Sequence, residues 1–410
     1  MIDFTNNQMT ISGIDNLNER SVEARKTDTA LAMEICSKAI LYAKNIGYQD
    51  GLAKAYINAG ICFRLASDFD SALENFGEAL KIYKNIDIKG ESRVLNSIAN
   101  VYLNAGNFTD AIRYFDDSIF LLESIGDNEF EATVLSNRGL AHQQKGDYDC
   151  ALKNYIQSLS LHISNKKPIP YYLYNIGIIY LEIGNYEAAL KYFFSALKSE
   201  ENEGNIIEAS YTTANIGRTF QYMGDFTNAI TYLIEAAIIM KKFGDIQGVS
   251  QVYSNLGKTF SKMKRFRDAL KYMQRSLKYY SGIKDKSSIA HTLCETGEVY
   301  FELNDYVNAK KYFNDCLAVA EEIDDEINET RSYLGMAKLY SRFLDIDNTM
   351  KYLNKAEDLA ENRSSLKELC RIYDLGHMSY LSAGKTEEAK NYFDKYEECL
   401  NKMMNLEESN

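Results

Sequence analysis

Residues 215–233, NIGRTFQYMGDFTNAITYL, contain the pattern that decides the fold. The same order of residue types occurs in NAGICFRLASDFDSALENF (58–76), NIGIIYLEIGNYEAALKYF (175–193) and NLGKTFSKMKRFRDALKYM (255–273). In each stretch an Asn-x-Gly is followed by an aromatic residue three positions after the glycine and by an alanine twelve positions after it. Self-similarity of this kind within one chain indicates a repeat architecture.

The repeat recurs in register along the chain. Its glycine position is occupied, at spacings of 38 to 40 residues, by Gly60, Ala99, Gly139, Gly177, Gly217, Gly257, Gly297, Ala337 and His377. A small residue follows twelve positions later, and in most repeats a second one follows after seven more, as in Ala229 and Ala236. One period before Gly60, Ala32 and Ala39 occupy the two small positions of a degenerate first unit. The pattern therefore predicts about ten units.

Each unit contains two stretches of about 14 residues with the apolar spacing of amphipathic helices. Gly-Asp, Gly-Asn or Ser-Asp between them ends the first helix and caps the second. The small residues allow helix backbones to approach closely, and the aromatic side chains fill the space between the two helices. The chain has only two prolines in 410 residues, and proline breaks helix interiors. The sequence thus predicts an all-α fold of about ten helical hairpins in one continuous array.

This frame resembles the tetratricopeptide repeat (TPR) over roughly residues 14–400, in a form with a 40-residue period instead of the usual ~34. HEAT-type repeats have a similar length, but the order of glycine, aromatic residue and alanine fits the TPR. The resemblance implies a right-handed α-α superhelix, a TPR solenoid. In such a solenoid the first helices line the concave surface, which is the usual binding face, and the second helices form the convex one.

The predicted organisation is a flexible N-terminus (1–13), the TPR array (14–400) and a C-terminal tail (401–410). The units lie near 14–50, 51–89, 90–129, 130–167, 168–207, 208–247, 248–287, 288–327, 328–367 and 368–400. Both prolines lie in NKKPIPYY, residues 165–172, between the third and fourth full repeats. This segment is either a shortened loop or a kink that divides the array.

Composition and motifs disfavour several classes of protein. The formal charge of −12 argues against a nucleic-acid partner. No segment has the length and apolarity of a transmembrane helix, and the first twenty residues predict no secretory signal. We therefore expect no membrane partner. The seven cysteines are scattered as in proteins of a reducing compartment, so we expect a cytoplasmic protein.

Signatures of enzymes and metal sites are missing from the sequence. It contains no HExxH, no GxxxxGK[ST], no GxGxxG and no GxSxG motif. We therefore expect no catalytic residue, no metal and no cofactor. Cys294 lies near His291 on a predicted helix, where it is either a reactive thiol or a plain groove-facing residue.

Asparagines recur two positions before the glycine position, at Asn58, Asn137, Asn175, Asn215 and Asn255. An asparagine amide donates and accepts hydrogen bonds at once, which suits the repeating backbone of an extended peptide. The TPR resemblance implies that asparagines at this position hold the main chain of a bound peptide. The alternative is that each amide bonds to the neighbouring repeat and fixes the stacking.

Other residues predicted to line the groove are Tyr171, Tyr174, Tyr211, Arg218 and Lys258. Tyrosine offers the flat amphipathic contact area that interfaces favour. Arg218 and Lys258 add positive charge, so we expect an extended ligand with an acidic group near repeats five and six. Further along, Glu295 and Glu298 make the groove acidic, and Arg331 and Arg371 make it basic again.

Arrays of this style resemble the sensory arrays of bacterial signalling proteins, the Rap-type peptide-responsive regulators and the polarity adaptors. Rap-type proteins carry a separate N-terminal helical bundle, for which a repeat array that begins near residue 14 leaves no room. We predict a non-enzymatic regulatory input in bacterial signal transduction that binds a protein or peptide segment in its concave groove. The alternative is a static scaffold or adaptor for multiprotein assembly, and association of two copies through the terminal repeats stays open.

Overall fold

The computed structural model of the chain describes residues 10–84, 86–164, 170–363 and 365–408. These residues form twenty α-helices and no strand. The helices are α1 (Ile11–Ala24), α2 (Thr29–Ile46), α3 (Gln49–Leu65), α4 (Phe69–Tyr83), α5 (Ile88–Asn104), α6 (Phe108–Ile125), α7 (Asn128–Lys145), α8 (Tyr148–Ser164), α9 (Pro170–Glu182), α10 (Tyr186–Glu203), α11 (Ile206–Met223), α12 (Phe226–Phe243), α13 (Ile246–Lys262), α14 (Phe266–Ile283), α15 (Lys286–Glu302), α16 (Tyr306–Glu322), α17 (Glu326–Arg342), α18 (Ile346–Asn362), α19 (Leu366–Ser382) and α20 (Thr386–Glu408). The all-α prediction is confirmed.

The chain divides into two compact units, Met1–Ile183 and Gly184–Asn410, called unit 1 and unit 2 below. Unit 1 contains α1 to α9, and unit 2 contains α10 to α20. The boundary lies between α9 and α10, inside the repeat predicted near 168–207. Apart from α9 and α10, each odd-numbered helix pairs with the even-numbered helix that follows it into a predicted hairpin, as α3 pairs with α4 and α13 with α14. Each unit is therefore a stack of the hairpins that define the α-α superhelix class.

Several predicted segments lie partly outside the residues that the structure describes. The kink predicted at 165–172 falls mainly on residues 165–169, which lie outside the described residues, so it stays a prediction. Residues 1–9 of the N-terminus predicted to be flexible also lie outside them, whereas α1 already begins at Ile11. The tail predicted at 401–410 continues α20 as far as Glu408. None of the described helices has both the length and the apolar character needed to cross a bilayer.

The turn between the helices of a hairpin shows why the sequence ends one helix and starts the next. Gly224 follows α11 with a φ of 81°, a left-handed conformation that glycine adopts without a steric penalty. Asp225 then caps α12, because its side chain accepts a hydrogen bond from the backbone N–H of Asn228 at 3.1 Å. These two residues bring the second helix back along the first.

The hairpin core explains the glycine position. A large side chain sixteen residues after it is buried in eight repeats: Phe76, Phe115, Tyr155, Phe193, Leu233, Met273, Phe313 and Leu353. In the hairpin of α11 and α12, a Cβ placed on Gly217 would lie 2.8 Å from Cγ of Leu233 and 3.1 Å from the carbonyl oxygen of Ala229. Both distances are shorter than an ordinary contact, so a larger residue at 217 would push the two helices apart.

The small and aromatic positions behave as the sequence predicts. The first small residue of each repeat is buried, from Ala72 at 0% exposed to Ala389 at 2% exposed. The aromatic residue three positions after the glycine position stacks on one from the second helix, as in Phe220 and Tyr232, with ring centroids 5.5 Å apart. Where the second small residue is a serine, its hydroxyl bonds to the first helix, as in Ser276 to the Ser250 carbonyl oxygen at 2.9 Å.

Candidate functional site

Within each unit, successive first helices contact one another closely. In unit 2, α13 contacts both α11 and α15, and α17 contacts both α15 and α19. No comparably close approach between successive second helices occurs among the described residues. The first helices therefore lie on the inner side of the stack, and their exposed faces form its groove.

Three positions of each first helix face this groove in unit 2. They stand six before, two before and one after the glycine position, which is the i, i+4, i+7 spacing of one helix face. The first set is Tyr211, Gln251, His291, Arg331 and Arg371; the second is Asn215, Asn255, Glu295, Gly335 and Leu375; the third is Arg218, Lys258, Glu298, Lys338 and Met378. Most of these side chains line two neighbouring clefts.

The central cleft has a volume of about 360 Å³ and runs from Arg218 on α11 to Arg331 on α17. It brings together three predicted site residues, Arg218, Asn255 and Lys258. The amide side chain of Asn255 has no hydrogen-bond partner within the part of the chain that the structure describes, although its backbone carbonyl accepts from Gln221 at 3.1 Å. An amide in this state is available to a ligand.

Asn215 lies beside this cleft and is 7% exposed. Its Nδ2 donates to the Tyr211 carbonyl oxygen at 3.2 Å, and its Oδ1 accepts from Nη1 of Arg218 at 2.8 Å. Tyr211 itself is half-buried and packs against the core of unit 2. The amide of Asn215 thus orients the Arg218 guanidinium.

His291 occupies the middle of the central cleft, and sequence reasoning did not identify it as a groove residue. Its Nε2 lies 2.7 Å from Nζ of Lys258, and its Nδ1 contacts Nη1 of Arg331. Burial and the charges of Lys258 and Arg331 lower the pKa of His291 to about 4, although Glu295 acts in the opposite direction. The signal was present in the sequence, because His291 stands forty residues from both Gln251 and Arg331 at the same repeat position.

The distal cleft has a volume of about 510 Å³ and is lined by α15, α17 and α19. Here charges of opposite sign are paired. Nζ of Lys338 lies 3.0 Å from Oε2 of Glu298 and 3.3 Å from Oε1 of Glu302. Burial lowers the pKa of Lys338, but its interactions with these two carboxylates outweigh burial and raise it. Arg371 and Asp374 line the far side of this cleft.

In unit 1, two predicted asparagines bond to the preceding repeat. Nδ2 of Asn58, which is 9% exposed, donates to the Asn18 carbonyl oxygen at 3.2 Å. Nδ2 of Asn137 donates to Oδ1 of Asn96 at 3.0 Å. Both partners lie about forty residues earlier in the chain, so these two amides support the stacking of hairpins.

The other predicted residues of unit 1 lie on α9. Tyr171 is 55% exposed, and its ring meets that of Tyr172 edge-on with centroids 5.4 Å apart. Tyr174 is half-buried. The buried Nδ2 of Asn175 has no hydrogen-bond partner among the described residues. These residues belong to unit 1, whereas Tyr211, Asn215, Arg218, Asn255 and Lys258 belong to unit 2.

Cys294 does not have the environment of a reactive thiol. It is 6% exposed, and a hydrogen bond with Cys316 together with burial raises its pKa well above the usual range for cysteine. Reactive cysteines have a lowered pKa and access to solvent. Of the two alternatives, the plain groove-facing residue therefore fits Cys294 better, since it lies buried at the lining of the distal cleft.

One group of side chains among the described residues has the donor types of a metal site. The ligand atoms of His142, Asp147 and Cys150 lie within 4.8 Å of one another, at the turn between α7 and α8. Asp147 caps α8 by accepting from the backbone N–H of Cys150 at 3.1 Å, and its other oxygen lies 3.0 Å from Nδ1 of His142. Helix capping accounts for this cluster without a metal ion.

The amino-acid sequence is similar to a family of repeat proteins and to one group of curated proteins. Family models described as tetratricopeptide repeat match residues 91–164, 131–199, 208–281 and 290–323. The photosystem I assembly protein Ycf3 of Prochlorococcus marinus (strain MIT 9211) is 30% identical over 115 residues, which are 28% of this chain and 62% of that protein. The chain thus spans about 62% of the length of this curated relative.

Solved structures with a similar fold cover most of the chain. The apo form of the quorum sensor NprR from B. thuringiensis has a TM-score of 0.62 at 15% identity and covers 85% of this chain and 99% of its own. A Rap protein complexed with competence and sporulation factor has a TM-score of 0.56 at 15% identity and covers 86% and 98%. At these identities the likeness concerns the fold.

Proposed function

The chain belongs to the tetratricopeptide repeat family, and we propose that it is a non-enzymatic module that binds an extended peptide segment of a partner protein. The binding surface in this proposal is the groove of first helices in unit 2. The observation that carries it is the central cleft, where Arg218, Asn255 and Lys258 meet on one surface. Asn255 offers an amide to the ligand's main chain, and the two cations offer attraction to its acidic groups.

We further propose that this binding serves as a regulatory input in bacterial signal transduction. Support comes from two structural neighbours, a protein described as a quorum sensor and a Rap protein complexed with a factor named for competence and sporulation. In this role the bound segment would shift the equilibrium between two conformations of the stack. The change in the free-energy difference between the two conformations equals the difference between the binding free energies of the segment for them.

The test is a selection of random linear peptides on the purified full chain, followed by affinity measurements on variants. Asn255→Ala is the groove variant, and Asn354→Ala is the matched control, because Asn354 is exposed on the second helix α18. We expect the enriched peptides to bind saturably, to lose at least tenfold in affinity with Asn255→Ala, and to be unaffected by Asn354→Ala. Failure to enrich any peptide, or equal affinity for both variants, would overturn the proposal.

The alternative is a static assembly scaffold that uses its second helices. The observation that favours it is apolar exposure on those helices: Ile234 and Ile238, one turn apart on α12, are 37% and 63% exposed. Large exposed apolar side chains in contiguous patches mark interaction sites. A protein partner that is retained by Asn255→Ala but lost with Ile238→Ser would favour the scaffold over the groove.

A further inference from the structure

Two cations contact the ring of His291, although a neutral ring can accept from only one of them. A neutral imidazole has one nitrogen that donates and one that accepts, whereas lysine and arginine only donate. Nevertheless Nζ of Lys258 lies 2.7 Å from Nε2, and Nη1 of Arg331 contacts Nδ1. The ring can accept from only one of these two cations, so the other donor faces an N–H group.

The charges around His291 show the same imbalance. The cations that face it are Lys258 and Arg331, with Arg218 on the wall of the same cleft. The carboxylates are Glu295, whose Oε1 lies 3.5 Å from Nζ of Lys258 and 3.6 Å from Nε2 of His291, and Asp325 at the edge of the cleft. Asp325 is already engaged, because it caps α17 through the N–H of Asn328 and accepts from the hydroxyl of Ser287 at 2.7 Å.

Neither arginine of the central cleft has a carboxylate partner. Among the described residues, Arg331 bonds to His291 and Arg218 bonds to the neutral amide of Asn215, and neither forms an ion pair. The distal cleft provides the contrast within the same groove, since Lys338 there pairs with two glutamates. Glu295 neutralises Lys258, but the positive charges of Arg218 and Arg331 have no protein carboxylate to neutralise them among the described residues.

We propose that Lys258, His291 and Arg331 form an anion subsite that receives a carboxylate or phosphate group carried by the bound peptide segment. An oxyanion accepts from the Arg331 guanidinium, which has no carboxylate partner among the described residues, and it offsets the positive charges of Arg331 and Arg218. The planar guanidinium of Arg331 suits two parallel hydrogen bonds to such a group. The peptide source of the anion rests on the proposed function, whereas the subsite itself does not.

Anion binding at this place changes the protonation of His291. Without an anion, burial and the charges of the two cations hold the ring neutral, with a pKa of about 4. A bound oxyanion offsets their charges and can accept from a protonated ring, so the pKa of His291 rises on binding. The other charged groups that face the ring, Glu295 and Asp325, are present in both states and do not produce the change.

The experiment uses the full chain with isotope-labelled histidine and sodium sulfate as the probe. The chain has four histidines, so the ring signals are few, and His291→Gln identifies the signal of interest. Sulfate is added at pH 5.5 with sodium chloride adjusted to hold the ionic strength constant. We expect a saturable shift of the His291 signal and a rise of at least one unit in its pKa, while the other three histidines do not respond.

Variants and probes separate the outcomes. Arg331→Gln and Lys258→Met should each weaken sulfate binding at least tenfold, whereas Arg267→Gln, at an exposed arginine on the second helix α14, should leave it unchanged. Circular dichroism checks that each variant is folded. Glutarate and phenyl phosphate as further probes then distinguish a carboxylate-bearing from a phosphate-bearing ligand.

A response that does not saturate, or that persists in Arg331→Gln, would overturn the subsite. If sulfate binds but no peptide is enriched, the subsite stands and the proposed function falls. If peptides bind and sulfate, glutarate and phenyl phosphate do not, the proposed function stands and the subsite falls.

Discussion

Replacement of Gly217 by leucine tests the packing of a hairpin at its closest point. A Cβ at this position lies 2.8 Å from Cγ of Leu233 and 3.1 Å from the Ala229 carbonyl oxygen. Carbon atoms in contact prefer about 3.5 to 4.0 Å, so the helices must separate by several tenths of an ångström. Overpacking of this kind costs about 1–3 kcal/mol, and the higher helix propensity of leucine recovers about 1 kcal/mol at most. Because one of the clashing atoms is a backbone oxygen that no rotamer change can move, the cost lies in the upper part of this range, and we expect a net loss of about 1–2 kcal/mol.

The matched control is Gly77→Leu in α4. A Cβ at Gly77 meets no atom within 4 Å, so the same replacement gains helix propensity there without a clash. We expect Gly77→Leu to leave stability unchanged or to raise it by up to about 1 kcal/mol. Urea unfolding followed by circular dichroism gives the free energy of unfolding, and hydrogen exchange locates the loss in α11 and α12, because repeat arrays unfold locally. A loss below about 0.5 kcal/mol at Gly217, or an equal loss at both glycines, would refute the assigned packing.

Three further changes test other parts of the structure. Asn58→Ala should lower the free energy of unfolding by about 1 kcal/mol, because it removes the bond to the Asn18 carbonyl oxygen, whereas Asn354→Ala should have no measurable effect in the same urea titration. The pKa of His291 is about 6.5 in the unfolded chain and about 4 in the folded chain, so the free energy of unfolding should fall by up to about 3 kcal/mol as the pH drops between these values. A His291→Gln variant whose free energy of unfolding has the same pH dependence would contradict this. Cys294 should react with iodoacetamide at pH 8 far more slowly than in urea, as measured by mass spectrometry, and equal rates would show that its burial is wrong.

The asparagine positions show where sequence reasoning reaches its limit. Asn58 and Asn255 stand at the same repeat position, yet Nδ2 of Asn58 donates to the preceding hairpin, whereas the amide side chain of Asn255 has no hydrogen-bond partner among the described residues. A repeat pattern specifies where an amide points, whereas its partner depends on which neighbour offers a donor or acceptor within reach.

His291 shows the same limit for the candidate site. Its repeat position is the same as that of Arg331, a signal that sequence reasoning did not use, and the sequence gives no measure of its distance from Lys258, thirty-three residues earlier, or from Arg331, forty residues later. Only the stacking of α13, α15 and α17 brings two cations onto one imidazole. The same stacking pairs Lys338 with Glu298 and Glu302, whereas Arg218 and Arg331 have no carboxylate partner among the described residues.

The sequence by itself determined the helices, their pairing into hairpins and the face that each first helix presents, because these depend on spacings of at most about twenty residues within one repeat. The tertiary structure decided which charges meet, since the groove contacts join residues 33 or 40 positions apart across separate hairpins. It also decided that the chain divides between α9 and α10 into two units, although the repeat pattern continues through that point. Hydrogen bonds and ion pairs form only when the two groups lie within a few ångströms of each other. For residues on separate hairpins, that distance depends on the packing between repeats and not on the pattern within one repeat.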